Sequence, residues 1–461
     1  LSVAPDPDGL VEMWSWDEAA RAVVSRKLPS GDAALLLASR LAADRAALEP
    51  SSPDAQRMHL VTTLELAKVL GGLDQPVQIP ADSPAGRALQ GVSTETLNAV
   101  MADAIKLGRI PPILAAAEVL AQAGDANVLT SAGPSESPLA LALRHPDRRV
   151  RRTAALSILK LKPQVAFPGI SRTLEPLAQV IRTTGASRVL IGHPRGEEAQ
   201  TLVGFMNDLG LEGDVAYTGR RLAELATTGP DFEIILISDA IDGPPVAELV
   251  QWLRKDYRTA GIPIGVMATT EALYDLRYAF VNDPLTAVFP RLHSSEVARG
   301  EVEKVVALAG RNYISVTERT RQAQEALAAF AEIAARRDAR SLWDILRHEP
   351  ALIAALDNPA LSGGTSAVLA RLGTPKSQTA LIDFASQTSR SIAERETAAA
   401  AFAASVKTHG LNLAQEQILL QFDRYNGSER QPPESQAVLS GLLDAIEAPT
   451  AATGDAVSQS P

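Results

Sequence analysis

Between Ser187 and Arg311 the apolar positions fall in short unbroken runs rather than in stripes. The runs are Arg188-Val-Leu-Ile-Gly192, Asp214-Val-Ala-Tyr-Thr218, Ile234-Ile-Leu-Ile-Ser238, Pro263-Ile-Gly-Val-Met267 and Ala287-Val-Phe289. Amphipathic segments of helical length separate them. Continuous Val/Ile/Leu runs mark strands buried on both faces, as in a parallel sheet covered by helices. Strands alternating with such helices predict right-handed crossovers and a doubly wound sheet of five parallel strands.

On either side of this block the period is helical. The first 76 residues read as helices broken by turns. A helix is expected over Asp17–Arg26 and is ended by Leu28-Pro-Ser-Gly31. Asp32 is expected to cap Ala33–Leu48, and a further helix runs from Ala55 to Leu70, stopped by Gly71-Gly72. Trp14 and Trp16 are expected in the core or at a cap. Asp74 to Gly86, rich in Pro, Asp, Gln and Gly, reads as a linker or long loop. Helices resume at Ser93–Leu107, Ile113–Ala123, Pro138–Arg144 and Arg148–Lys162. After the central block, Val316 to Arg337 carries one apolar stripe of Ala323, Leu327, Phe330 and Ala334. Helices at Ser366–Gly373, Thr374–Ser386 and Ile392–His409 follow, with Thr374 as cap and Pro375 at the first helical position. The organisation read from these patterns is 1–76 helical hairpins, 77–186 helical repeats, 187–312 the α/β domain, 313–448 a second helical domain, and 449–461 an Ala/Ser/Thr-rich disordered tail.

Composition sharpens this picture. A chain of 461 residues suggests about three domains. Aromatics are 4% of it, while alanine and leucine dominate, which suits close helix-on-helix packing. The net charge of −10 argues against general nucleic-acid binding. With no cysteine there is no disulfide framework and no thiolate metal site. No apolar run approaches the roughly 18 residues that span a membrane. The chain starts at Leu1, so a processed or truncated N-terminus is expected; the reading favours the cytoplasm, or the periplasm or cell envelope if a leader was removed.

Three phrases carry resemblances to helical repeats. Ala46-Ala-Leu-Glu-Pro-Ser-Ser-Pro-Asp-Ala55 resembles the turn between tetratricopeptide repeats, and equally an ordinary helical hairpin. His145-Pro-Asp-Arg-Arg-Val-Arg-Arg-Thr-Ala-Ala-Leu-Ser-Ile-Leu159 resembles a HEAT repeat, with Asp147 opening the second helix, the pair Val150-Arg151, and small Ala154 and Ala155 at the packing face. Leu372-Gly-Thr-Pro-Lys-Ser-Gln-Thr-Ala-Leu381 resembles a boundary between such repeats. Together they imply an α-solenoid, whose usual product is protein binding. In composition the chain also resembles large repeat proteins of high-GC bacteria such as planctomycetes.

Over Arg188 to Leu308 the element order resembles the receiver domain of response regulators, with Ile262-Pro263 at the fourth strand and Pro290 after the fifth. The resemblance implies a flavodoxin-like strand order, 2-1-3-4-5. It also implies an acid pair after strand one for Mg²⁺, an Asp acceptor ending strand three, a hydroxyl ending strand four, and a Lys before the proline after strand five. Without gaps, the acid pair falls on His193 and Pro194, and the acceptor on Ser238 with Asp239 next. The hydroxyl falls on Ala268 with Thr269 next, and the lysine on Phe289 with Arg291 beyond the proline. A one-residue slip turns a strand side chain to the other face. A bulge would restore Asp239 and Thr269 but not the acid pair, so the expected module is degenerate and incompetent for phosphotransfer.

Three clusters remain. Gly192-His-Pro-Arg-Gly-Glu-Glu198 lies where strand one meets a helix, and Gly192, Arg195 and Gly196 are candidates for anion binding. Glu197 and Glu198 oppose that and favour an acidic first turn. Asp239, Asp242 and Asp283 are candidate cation neighbours at the sheet's carboxyl edge, against a reading as solvated loop acids. Arg148, Arg149, Arg151 and Arg152, beside Arg144 and His145, are a candidate partner-binding surface for an acidic protein, against a reading as an exposed helical face. His59, His293, His348 and His409 are scattered without metal spacing, and no nucleophile elbow occurs. The sequence therefore predicts a non-enzymatic scaffold or adaptor that binds other proteins, without cofactor, metal or nucleic acid. The alternative is a regulatory protein whose α/β domain senses a phosphate or small ligand at Ser238/Asp239 and Gly192–Gly196.

Overall fold

The computed structural model describes residues 6, 8–17, 20–336 and 342–448; the tail expected at 449–461 lies outside them. The chain divides into two compact units, Leu1–Thr173 and Leu174–Pro461. The architecture is mainly helical, with one five-stranded parallel sheet.

The first unit opens on two antiparallel strands, β1 (Leu10–Asp17) and β2 (Ala22–Pro29), where a helix over Asp17–Arg26 was expected. Period two decides the matter. Val11 and Met13 point inward onto Ala33, Leu28, Leu36 and Leu37, and the alternate positions point out. Trp14 and Trp16 are therefore 59% and 56% exposed, and are neither core nor caps. The next helix starts at Ser30 behind Pro29, so Asp32 sits in its first turn rather than at its cap.

Helices Pro53–Gly71, Thr94–Lys106, Ile110–Ala123 and Arg148–Lys160 follow. Ser52, Ser93 and Asp147 accept first-turn amides as caps, and Gly124 closes its helix at φ 72°. Two buried cations pin these helices. Lys68 Nζ lies 2.6 Å from Glu118, whose other oxygen accepts the Val77 amide. Arg149 donates Nε and Nη2 to the two Asp74 oxygens at 2.5 and 2.8 Å. Of the Asp74–Gly86 stretch, residues 74–83 are thus a loop fixed at both Asp74 and Val77, and Pro84 opens the helix Pro84–Leu89.

In the second unit the sheet is all parallel, in the order 212–216, 188–192, 234–238, 264–268, 286–290. The strands are β3 (Arg188–Gly192), β4 (Glu212–Ala216), β5 (Ile234–Ser238), β6 (Ile264–Ala268) and β7 (Thr286–Pro290). Every residue of β5 and β6 is buried, as the unbroken apolar runs require. One face packs on Leu222, Leu249, Val250 and Leu253, the other on Leu202, Met206, Ala298, Val302 and Val305. Gly192 is a packing glycine: a Cβ there would stand 2.4 Å from Leu222 Cδ1 and 2.9 Å from Ile241 Cδ1.

Helix Val316–Ala335 buries its stripe of Ala323, Leu327, Phe330 and Ala334. It is tied to the sheet through Arg319, whose guanidinium is 3.0 Å from Asp231 just ahead of β5. Asn358 Nδ2 donates to the Thr183 carbonyl at 2.8 Å, anchoring helix Pro359–Leu372 beside the chain's entry to β3. Helices Pro375–Ser386, Ile392–His409, Gln415–Asn426 and Pro433–Glu447 complete the unit, and Thr374 caps the first of them through the Ser377 amide.

Breaking a buried pair leaves an uncompensated charge, so Asp74→Ala is expected to lower stability by about 3 kcal/mol. The same truncation at the exposed Asp54, paired with Arg45, is expected to cost less than about 1 kcal/mol. Denaturant midpoints of the two variants check the contrast.

Candidate functional site

Ligands of doubly wound sheets gather outside the carboxyl ends of the strands. At that edge the structure brings together the ends of β3, β5, β6 and β7.

At β5, Ser238 is buried, and its hydroxyl accepts the Ala240 amide at 3.2 Å. Asp239 extends the ladder by one residue, donating its amide to Met267 at 2.8 Å. Its side chain faces the edge. Oδ2 accepts the Thr269 amide at 2.7 Å, and Oδ1 accepts Arg291 Nη2 at 2.7 Å. Burial raises the Asp239 carboxyl, but the Thr269 and Arg291 hydrogen bonds and the Arg291 charge outweigh it, leaving the group below the ordinary carboxylate value. Asp239 and Thr269, one place beyond the ungapped positions, and Arg291, two places beyond, are therefore the residues that meet.

The ungapped positions serve packing. Ala268 and Phe289 are buried, and Phe289 joins Val189, Ile191, Leu236 and Met267 in the core on one face of the sheet. At β3, where the resemblance calls for two acids, His193 is buried and Pro194 is exposed. His193 Nε2 lies 3.1 Å from Glu198, and its Nδ1 accepts the Arg195 amide at 3.2 Å. Arg195 reaches Glu198 at 2.6 Å with its side chain 69% exposed. The Arg195 hydrogen bond holds the Glu198 carboxyl below its ordinary value against some burial, helped by the charges of Arg195, His193 and Arg291. Helix Gly196–Asp208 thus begins with its acidic turn already folded onto the candidate anion ligand Arg195.

Two candidate groupings do not form. Asp283 is not at the carboxyl edge. It precedes β7 at the amino edge, 2.8 Å from Arg254, and accepts the Thr286 hydroxyl and the Leu285 amide. Asp242 binds the Gly243 amide. Among the described residues no three His, Asp or Glu side chains form a metal-binding group. The basic face of helix Arg148–Lys160 is likewise not a surface: Arg149, Arg151 and Arg152 are 1%, 4% and 7% exposed and Arg148 is half-buried. Arg151 donates to the His145 and Pro146 carbonyls, and Arg149 to Asp74. Guanidinium forks saturate buried acceptors well, and this draws such a cluster inward.

The pairing of Arg195 and His193 with Glu198 was not read from the sequence. The i, i+3 spacing of Arg195 and Glu198 is its only local signal.

No protein-family model and no curated protein matches the chain. Among solved structures, a sensor protein from Polaromonas sp. JS666 is similar at 16% identity over 26% of this chain and 95% of its own, with a TM-score of 0.24. A fusion of yeast Spc42 trimeric coiled-coil amino acids 181–211 is similar at 17% identity over 31% and 95%, also with a TM-score of 0.24.

Because the folded Asp239 value is depressed, its contribution to stability is present above the unfolded carboxylate value and fades as pH falls through the folded one. Arg291→Met is expected to raise the Asp239 titration midpoint, read by carboxyl NMR. Asp239→Asn is expected to flatten the acid limb of the stability curve.

Proposed function

We propose that this chain is a non-enzymatic protein-binding scaffold: a phosphorylation-incompetent, receiver-like α/β domain carried with HEAT-like helical repeats. The strand order β4-β3-β5-β6-β7 is 2-1-3-4-5 when counted within the sheet, in keeping with that resemblance. The observation that carries the reading is the state of the carboxyl edge. Phosphoryl transfer to a carboxylate needs a free oxygen and a hard cation held by oxygen ligands. Both oxygens of Asp239 are engaged, and the cation positions hold an imidazole and a proline.

The domain does offer a binding surface. Tyr274 and Tyr278, four residues apart on helix Leu273–Ala279, are 79% and 77% exposed, and Val281 beyond them is 70% exposed. That helix buries none of its residues. Exposed tyrosines next to an apolar residue supply rigid, amphipathic contact area of the kind that anchors protein interfaces.

The second reading, a sensor of phosphate or a small anion, draws on the two guanidinium groups at the same edge. Arg195 is 69% and Arg291 37% exposed.

Incubation with acetyl phosphate and Mg²⁺ is expected to leave the mass of the intact chain unchanged; a phosphoryl gain on Asp239 overturns the scaffold reading. Saturable binding of inorganic phosphate, lost in Arg195→Ala, supports the sensor instead. The double variant Tyr274→Ala/Tyr278→Ala is expected to lose co-purifying protein about tenfold at unchanged stability.

A further inference from the structure

We propose that the outer edge of β2, in the first unit, is a docking site for an extended acidic segment of another protein, which adds to the hairpin as a third strand. Only the base of the hairpin is packed, where Val11, Met13 and Leu28 rest on Ala33, Leu36 and Leu37. Farther out, Trp14, Ser15, Trp16, Val23, Val24 and Ser25 are all exposed. Trp16 stands opposite Val23 and Trp14 opposite Ser25, so the two indoles and Val23 share one face, and Val24 lies on the other. A ribbon of two strands is marginal by itself. Exposed indoles beside an apolar residue are the side chains that anchor protein interfaces.

The backbone decides which edge is open. Leu10 donates its amide to Asp6 Oδ1 at 2.9 Å, and its carbonyl accepts the Asp6 amide at 2.7 Å. The Trp14 carbonyl accepts Arg40 Nη1 at 3.2 Å. The even-numbered residues of β1 therefore turn their amides and carbonyls away from β2. In an antiparallel pair the residues opposite them turn theirs away on the far side. Those residues are Val23, Ser25 and Lys27, followed by Pro29, which has no N–H. Among the described residues no group bonds the backbone of Val23, Ser25 or Lys27 on that side. The edge of β1 is thus occupied at Leu10 and Trp14, and the edge of β2 is free.

Charge names the partner. β2 carries Arg26 and Lys27 and no acid, and Arg21 stands just before it. Lys27 lies 3.3 Å from Asp6, whereas Arg21 and Arg26 have no carboxylate partner among the described residues. Cations on an edge strand oppose its pairing with a second copy. Two β2 strands laid side by side would gather Arg26 and Lys27 of both. An acidic strand meets attraction instead. Its side chains alternate between the faces, so apolar ones lie beside Val23 and the indoles while carboxylates on the other face meet Arg26. Main-chain bonds to Val23, Ser25 and Lys27 supply affinity, and the alternation supplies specificity. Asp17 and Glu18, next to Trp16 in the sequence, weigh against an anionic lipid surface. The site uses none of the residues on which the scaffold reading rests, so either can fail without the other.

The test uses the full chain and a blocked, fluorescein-labelled eight-residue peptide alternating glutamate and valine. Saturable binding by anisotropy is expected, with slowed exchange of the Ser25 amide when the peptide is bound. A peptide with lysine in place of glutamate is expected to bind at least about tenfold more weakly. Ser25→Pro removes one outward amide and leaves the ladder to β1 intact; it is expected to weaken binding about tenfold. Should Ser25→Pro fail to fold, the surface variant Arg26→Glu/Lys27→Glu is expected to show the same loss. No saturation below about 1 mM, equal binding of the two peptides, or full binding by the folded variants overturns the proposal. So does co-sedimentation with phosphatidylserine vesicles in place of peptide binding, which would assign the hairpin to a membrane surface.

Discussion

The carboxylate of Asp239 has both oxygens committed, one to the Thr269 amide and one to the Arg291 guanidinium. That clamp joins the ends of β5, β6 and the segment after β7 without any ligand. A depressed carboxyl in a cleft often marks chemistry. Here the same interactions that depress it also occupy it, and the Glu198 carboxyl opposite is spent in the same way on Arg195 and His193. The carboxylates at this edge are thus paired within the chain itself.

A related economy appears in the buried and half-buried cations. Arg149 is matched by Asp74, Lys68 by Glu118, Arg319 by Asp231 and Arg254 by Asp283. Each pair links positions far apart in the chain, and each fixes a loop to a helix or one helix to another. Geometry of this quality is what lets ionic groups sit inside a fold. Arg395 departs from the pattern, since carbonyl and hydroxyl oxygens are its protein partners.

The sheet was legible because unbroken runs such as Ile234-Ile-Leu-Ile have one ready explanation, burial on both faces. The stripe of Ala323, Leu327, Phe330 and Ala334 was legible for the corresponding helical reason. The hairpin was not. Only Val11, Met13 and Leu28 mark its inward face, and the alanines around Arg21 read as helix. Register at the carboxyl edge was legible only to within one residue. Whether Ser238 or Asp239 faces the edge depends on the ladder bond from Asp239 to Met267, which no local pattern encodes. The inward turn of Arg149 and Arg151 was equally hidden, because their acceptors, Asp74 and the carbonyls at 145 and 146, become neighbours only after folding.

The outward face of the hairpin bears on how the molecule can be watched. Of the four tryptophans, Trp14, Trp16 and Trp252 are 59%, 56% and 40% exposed, and only Trp343 is buried, at 6%. Two of the four indoles already sit largely in water in the native state, and Trp252 partly so. Intrinsic emission is therefore red-shifted before any denaturant is added, and the wavelength change on melting is carried by Trp343 near the start of the C-terminal helices. The sheet contributes through a half-wet Trp252 alone, so its melting is better followed by circular dichroism.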